Sequence, residues 1–420
     1  MIGFATLFLG LLLGPHNVEL LADEQVAAVE ILLDGAVVAR LEDRPFAAEI
    51  DFGDTLEPHH LEAVALDEAG QEVERTEQWI NLPRPPAEVT VVLVEDDAGL
   101  VRRAQVAWKA LEYEEPQSVA VSLDGRRLTV EDPRDFALPG YDANQLHLLK
   151  VEVIFDNSLS ASSEVTFGGF YADEVSSEIT AVPVDMKAFG AILPQAGQRS
   201  SSFRVGGEPL LVAGVEKGPA EVLFVRDANA KDALIALHPQ YGRNIPLSLG
   251  KDHRLRVLWA TPQIREVGES QHALFPRSAD LEASDGELYW YLSRLVWPTN
   301  AASQKVADAV AVGGMAAAAR NRRRAVVLLL GPRRDDAALL EPSQVRGYLK
   351  AMRVPLHVWS THPKEWQGNG WGDVEDVSTI WKLARATRRL RRALEQQRIV
   401  WLEGEHLPQQ IEVGTGASGR

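Results

Sequence analysis

Val29-Glu30-Ile31-Leu32-Leu33-Asp34-Gly35-Ala36-Val37-Val38 and Val119-Ala120-Val121-Ser122-Leu123-Asp124-Gly125-Arg126-Arg127-Leu128 share one grammar. Each is a β-rich run, an Asp-Gly pair and a second β run. Asp-Gly supplies the positive φ angles of a tight primed turn, so each stretch predicts a hairpin. The two pairs stand 90 residues apart, a domain-sized period. A second echo follows each hairpin: His60-Leu61-Glu62-Ala63-Val64-Ala65-Leu66, and His147-Leu148-Leu149-Lys150-Val151-Glu152-Val153. Val73 to Leu82 and Ser163 to Phe167 supply closing strands. Short strands parted by Gly, Pro and Asp turns over ~90 residues predict a seven-strand sandwich, here made twice.

The pattern Val-x-Ile-x-Leu-Asp-Gly followed by Pro45-Phe46 resembles bacterial immunoglobulin-like modules, which act as spacers and adhesion units. The resemblance covers residues 16–82 closely and 86–170 more loosely. It implies an immunoglobulin-like β-sandwich over 16–84 and another over 85–182, with Pro83-Arg84-Pro85-Pro86 as a stiff linker. His60 and His147 hold equivalent places but lack neighbouring ligands, so both are expected to be structural.

The chain's 420 residues suit two to four domains. The apolar run Ile2 to Leu13 ends at Gly14-Pro15, so residues 1–15 read as the h-region of a secretory signal. No Lys or Arg precedes the run and no small-x-small cleavage site is clear; a buried first strand is the other reading. An extracytoplasmic location follows from the first. No apolar run reaches the ~20 residues of a membrane-spanning helix. The absence of cysteine excludes disulfides, thiolate metal sites and a Cys nucleophile. Residues 1–182 hold 35 acidic and 11 basic side chains; residues 183–420 hold 25 and 32. The acidic front disfavours nucleic acid. Self-association between the acidic front and the basic rear is open, as is a plain solubility role for the charge.

From about Val182 the grammar changes. Residues 183–217, rich in Gly, Ser and Pro, are expected to be a connecting strap. Over 218–407 apolar runs alternate with helical patterns, the signature of a parallel sheet covered by helices. Strands are expected at Glu221–Arg226, Leu255–Trp259, Ala325–Leu330 and Pro355–Trp359, and helices at Asp285–Val296, Gln304–Asn321, Pro342–Met352 and Val374–Gln397. Residues 408–420 read as a flexible tail; Gly414-Thr415-Gly416-Ala417-Ser418-Gly419 matches a dinucleotide fingerprint by letter, but no helix follows it.

The run Gln304 to Leu330, an Ala-rich helix followed by Arg-Arg-Arg-Ala-Val-Val-Leu-Leu-Leu, resembles the central helix and strand of a von Willebrand factor type A domain. Phe224-Val225-Arg226-Asp227-Ala228-Asn229-Ala230-Lys231 is similar to that family's first strand and Asp-x-Ser-x-Ser loop, and Val354 to Trp359 to a later strand. Sandwich modules joined to such a domain are similar to a group of acidobacterial secreted proteins. The resemblance implies a doubly wound α/β domain with a Mg²⁺ site built from the first loop, a Thr of a second loop and an Asp after the central strand. Asp227 is kept. Asn229 replaces the first Ser, Lys231 the second, and Gly331 stands where the later Asp belongs; Thr299 and Ser303 are out of register beside Asp308. One carboxylate and one amide cannot hold an ion that sheds water so reluctantly, so no metal and no cofactor is expected. Lys231 either pairs with Asp227 in place of the ion or points to solvent.

Ligands of open parallel sheets bind at the carboxyl ends of the strands. The loop Ser360 to Asp373 lies there and carries Trp366 and Trp371, which with His362 are the candidate partner-binding residues; the alternative is that both indoles are buried loop anchors. The last helix has an apolar stripe of Ile380, Leu383, Thr387, Leu390 and Leu394. Its other faces hold Lys382, Arg385, Arg388, Arg389, Arg391 and Arg392, either solvated or a dock for the acidic modules or a membrane surface. No Walker loop, His-Glu-x-x-His or Gly-x-Ser-x-Gly occurs. The expected function is a non-catalytic interaction, adhesion or scaffold protein whose partner is another protein or a surface polymer. The alternatives are a hydrolase with its site around Asp227, His253 and Asp285, and a structural subunit of a larger assembly.

Overall fold

The computed structural model describes residues 1–96, 100–111, 113–143, 147–155, 159–168, 179–189, 197–237, 247–250, 253–262, 275, 281–282, 288–294, 304–319, 321–333 and 336–414. The chain divides into two compact units between Ser176 and Ser177.

The first unit contains both β modules. Strands β1 (Ile2–Phe4), β2 (Pro15–Ala22), β3 (Ala28–Leu33), β4 (Ala36–Leu41), β5 (Ala47–Asp51), β6 (His59–Leu66) and β7 (Glu72–Ile80) form the first module. Strands β8 (Ala87–Glu95), β9 (Val101–Ala110), β10 (Ser118–Leu123), β11 (Arg126–Leu128), β12 (Asp135–Ala137), β13 (His147–Ile154) and β14 (Ser160–Phe167) form the second. The sheets are β1-β2-β5 and β4-β3-β6-β7 in one, β12-β9-β8 and β11-β10-β13-β14 in the other. In each module the first, second and fifth strands therefore make one sheet and the rest make the other. The hairpins turn where the Asp-Gly pairs predicted, with φ of 52° and 82° at Asp34 and Gly35 and 52° and 75° at Asp124 and Gly125.

Residues 1–15, read above as a signal segment, are core of the first module. β1 pairs with β2, and Ile2, Phe4, Leu7, Phe8 and Leu12 join the cluster of Val29, Ile31, Phe46 and Leu61. Most of the segment is irregular, and buried amides satisfy its backbone. Phe8 N–H donates to Gln78 Oε1 at 2.8 Å and Gln78 Nε2 donates to the Thr6 carbonyl at 3.1 Å. Leu12 N–H donates to Asn81 Oδ1 at 2.7 Å, and Asn81 Nδ2 returns a bond to the Leu12 carbonyl. Two amides about seventy residues away thus supply what a strand partner would.

The second unit holds two sheets. β15 (Ile179–Asp185), β16 (Gln198–Val205) and β17 (Glu208–Glu216) join β24 (Gln397–Glu403) and β25 (Glu412–Val413) in an antiparallel sheet ordered β15-β24-β17-β16-β25. The expected boundary at 182 therefore falls inside β15, a strand of the second unit. The described residues 197–217 of the expected strap are strands of a sheet with its own core, including Val184, Phe203, Val212, Val400 and Ile411, while residues 190–196 lie outside the described residues. The expected tail is ordered through Val413, because β25 pairs with β16; the Gly-rich residues 415–420 lie outside the described residues. A short helix, α1 (Met186–Phe189), follows β15.

The other sheet comprises β18 (Ala220–Arg226), β19 (Arg254–Trp259), β20 (Leu281–Glu282), β21 (Arg323–Leu330), β22 (Leu356–Ser360) and β23 (Val374–Asp376), in the order β20-β19-β18-β21-β22-β23. All pairs are parallel except that of β20 with β19. β18 and β21 are buried along their whole length, as strands covered on both faces must be. On one face Val222, Phe224, Val327 and Leu329 pack with α2 (Ala230–Ile235), α3 (Leu288–Arg294) and α6 (Ile380–Gln396). On the other, α4 (Val306–Ala318) lies so close that a Cβ on Gly313 would stand 2.9 Å from a methyl of Leu223. α5 (Pro342–Ala351) packs on α4. The expected last helix over Val374–Gln397 begins six residues later, at Ile380 after the N-cap Thr379, since Val374–Asp376 is an edge strand. Asp285 and the ends of the expected helix Asp285–Val296 lie outside the described residues. Among the described residues no helix is long and apolar enough to cross a membrane, which says nothing of a β-barrel.

Candidate functional site

In the α/β sheet the winding direction reverses beside β18, so the crevice where such sheets take ligands lies over the carboxyl ends of β18 and β21. Asp227 and Gly331 sit at that place. Asp227 is fully buried, and its carboxylate is occupied. Oδ1 accepts from Asn229 N–H at 2.9 Å and Asn229 Nδ2 at 3.0 Å, and Oδ2 accepts from Gly331 N–H at 3.0 Å. Burial pushes its carboxyl above the ordinary carboxylate range, partly offset by the hydrogen bonds from Asn229, Gly331 and Gln304. Gly331 is itself closed in: a Cβ there would stand 2.5 Å from the Ala230 nitrogen and the Asn229 carbonyl oxygen.

These residues do not fit a hard divalent cation. Asn229 turns its amide nitrogen, not its carbonyl, to Asp227, and the backbone of the first loop fills the space a carboxylate after β21 would need. Lys231 is half-buried, and among the described residues no ion pair joins it to Asp227, whose carboxylate is bound by N–H donors instead. Among the described residues no cluster of three or more His, Asp or Glu is placed to hold a metal.

The loops beyond β21 and β22 enclose an open groove of about 720 Å³, lined by Arg333, Asp336, Leu340, Glu341, Trp366 and Trp371 among others. The two indoles are its wall, not protruding anchors. Trp366 is 7% exposed and Trp371 3%, and Trp366 Nε1 donates to the Gly331 carbonyl at 2.8 Å. Exposed indoles were the ground for reading them as partner contacts, and burial removes that ground. His362 is outside the groove lining; its N–H donates to Ser360 Oγ at 2.9 Å and its Nδ1 lies 3.0 Å from Thr361 Oγ1.

The acidic groups at this edge brace loops. Asp336 accepts from Val306 N–H at 2.9 Å, capping a helix whose own N-cap, Lys305, has no side-chain bond. Asp308, in the first turn of α4, returns the favour by accepting from Leu339 N–H at 3.0 Å and Leu340 N–H at 2.9 Å. Glu341 forms a capping box with Gln344. Sequence reading passed over Asp336 because the helix it caps starts 30 residues earlier, where no local signal points to it. The grouping of Asp227 with His253 is not made. His253 precedes β19, near Ala220 N–H at 3.4 Å, whereas Asp227 follows β18, and the parallel register puts them at opposite ends of the sheet, roughly 20 Å apart.

No protein-family model matches the chain and no curated protein does, so the type A likeness and the acidobacterial likeness stand on the residues alone. Among solved structures, the fibronectin(III)-like modules of Clostridium thermocellum CbhA are 15% identical with a TM-score of 0.18, covering 19% of this chain and 93% of that one. The central fibronectin-III array of RIM-binding protein is 11% identical with a TM-score of 0.20, covering 42% and 73%. Bacteroides ovatus mixed-linkage glucan utilization locus SGBP-B, in complex with a mixed-linkage heptasaccharide, is 9% identical with a TM-score of 0.14, covering 44% and 74%. The β modules rest on the strand pairing described above, and likenesses of this size carry nothing about function.

Proposed function

We propose that this chain is a non-catalytic, extracytoplasmic interaction or scaffold protein, its β modules acting as spacers and its α/β unit as a type A-like partner-binding head that works without a metal ion. The sheet order and the packing of the Ala-rich α4 on β18 and β21 support the type A-like reading. The observation that carries the proposal is the occupation of Asp227 by three N–H donors beside a closed Gly331, next to an open groove. A partner, protein or surface polymer, enters that groove and meets Arg333 and the capped edge of α5. The carboxylates at this edge, Asp227, Asp308, Asp336 and Glu341, are held by backbone N–H groups, which suits bracing better than proton transfer. The location rests on the resemblance of the β modules to bacterial spacer modules.

The chain has no cysteine, so a single Cys at Ser343 in the groove wall takes a photo-crosslinker cleanly. In extract of the native organism the expected result is one dominant adduct, retained in chelator and lost in the Arg333→Glu background. Capture that requires Mg²⁺, or that survives Arg333→Glu unchanged, would overturn the proposal.

A further inference from the structure

α6 carries more cation than its fold uses. Three of its basic side chains are paired within the unit: Lys382 with Asp376 at 2.6 Å, Arg389 with Glu375 at 2.8 Å, and Arg391 with Glu395 at 3.0 Å. Arg385, Arg388 and Arg392 are exposed and have no ion-pair partner among the described residues; Arg388 reaches only the Ala384 carbonyl, at 3.4 Å. With Trp381 these three fall at i, i+4, i+7 and i+11, within about 60° of one another on a helix of 3.6 residues per turn. Trp381 is 67% exposed. The result is a stripe roughly 16 Å long, at ~1.5 Å per residue, with an indole at one end and three guanidinium groups along it.

Such a stripe is unfavourable to the isolated fold. Neighbouring guanidinium groups three and four residues apart repel, and an indole left in water gains nothing from its area. Arginine and tryptophan are also the side chains that carry interfaces, because guanidinium is weakly hydrated and the indole buries a large area at little entropic cost. The stripe shares no residue with the groove lining.

We infer that this stripe docks on the acidic N-terminal half of a second copy of this chain, so that copies associate head to tail. Charge complementarity selects that occupant: residues 1–182 carry 35 acidic against 11 basic side chains, whereas residues 183–420 carry 25 against 32. The net charge of −17 makes whole copies repel at long range. At about 0.15 M salt the Debye length is ~8 Å, so that repulsion is screened while charges in contact still attract. A heterologous contact of this kind builds open chains and not a closed pair unless its rotation happens to close.

Sedimentation velocity of the full chain over a concentration series tests the inference. At about 0.15 M salt the mean mass is expected to rise with concentration, and at about 1 M, where the Debye length is ~3 Å, to return to monomer. The triple variant Arg385→Glu, Arg388→Glu, Arg392→Glu should weaken association on the order of a hundredfold, and Trp381→Ala about tenfold. Circular dichroism monitors folding; should the triple variant misfold, Trp381→Ala and the milder, charge-neutralising triple Arg385→Gln, Arg388→Gln, Arg392→Gln carry the test, the latter with a weakening of about tenfold or more. A monomer at every concentration overturns the inference. So does association unchanged in the variants that fold, or a monomer that instead binds anionic phospholipid vesicles through Trp381.

Discussion

Gly331 donates its backbone N–H to the buried carboxylate of Asp227 at 3.0 Å, joining the loop after β18 to the loop after β21. In the Mg²⁺-binding arrangement that the type A resemblance implies, the residue at 331 would be an acid and both oxygens of Asp227 would face an ion. Here backbone nitrogen stands in for the cation. Restoring the acid with Gly331→Asp is expected not to create a Mg²⁺ site. Its Cβ would collide with the Asn229–Ala230 backbone, at a cost of about 3 kcal/mol or more. Thermal melts with and without Mg²⁺ check both halves; a stabilised variant that melts higher with Mg²⁺ would refute the closed-site reading.

Asp227→Asn leaves one N–H donor facing an amide NH₂ and should destabilise by roughly 1–3 kcal/mol. It should also change the pH profile. Because burial raises the Asp227 carboxyl above its unfolded value near ~3.9, its contribution is full below that value and is lost as pH rises through the folded one. The variant lacks that slope, so the gap between the two proteins is largest in acid and narrows toward neutrality. Urea unfolding at a series of pH values measures it.

Trp366 closes one wall of the groove while its indole N–H is bound to the Gly331 carbonyl, so Trp366→Ala is expected to cost about 3–5 kcal/mol of stability. A shift in the denaturant midpoint reads this out. An unshifted midpoint would return the indole to the role of partner contact.

In the second module Asp124 Oδ2 bonds His147 Nδ1 at 2.7 Å while Oδ1 accepts Leu148 N–H at 2.9 Å, and Asp34 does the same for His59 and His60, at 2.8 Å each. The bond to Asp124 raises the His147 imidazole and holds the Asp124 carboxyl low. The His147 contribution is therefore complete below ~6.5 and lost as pH rises through the raised value; that of Asp124 is complete above ~3.9 and lost as pH falls through the lowered one. The latch is strongest between. Asp124→Asn should bring the His147 titration, followed by NMR, down toward ~6.5.

Gln78→Ala and Asn81→Ala each orphan buried backbone groups of residues 6–12, and each is expected to cost about 2 kcal/mol. Hydrogen exchange over that segment should accelerate well before the rest of the module opens.

The module repeat was legible because a primed turn needs Asp-Gly locally, at 34–35 and again at 124–125. The match between copies was one residue out. Similar letters align His60 with His147, but the carboxylates of the two turns bind His59 and His147. A run of apolar residues from Ile2 reads alike as leader or core; in the structure it packs in the first module, with its backbone bonded to Gln78 and Asn81 about seventy residues away. The two indoles had the composition of an exposed loop, but the Gly331 carbonyl, in the separate loop after β21, accepts the Trp366 indole N–H and holds that ring inward.

Sequence by itself determined the turns, the continuous apolar strands β18 and β21, and the amphipathic α6, since each is set by contacts within a few residues of chain. The tertiary structure alone decided what residues 1–15, 183–189, 197–217 and 408–413 become. Their hydrogen bonds and apolar cover come from segments far along the chain, and burying a backbone costs too much unless those distant donors and acceptors meet it.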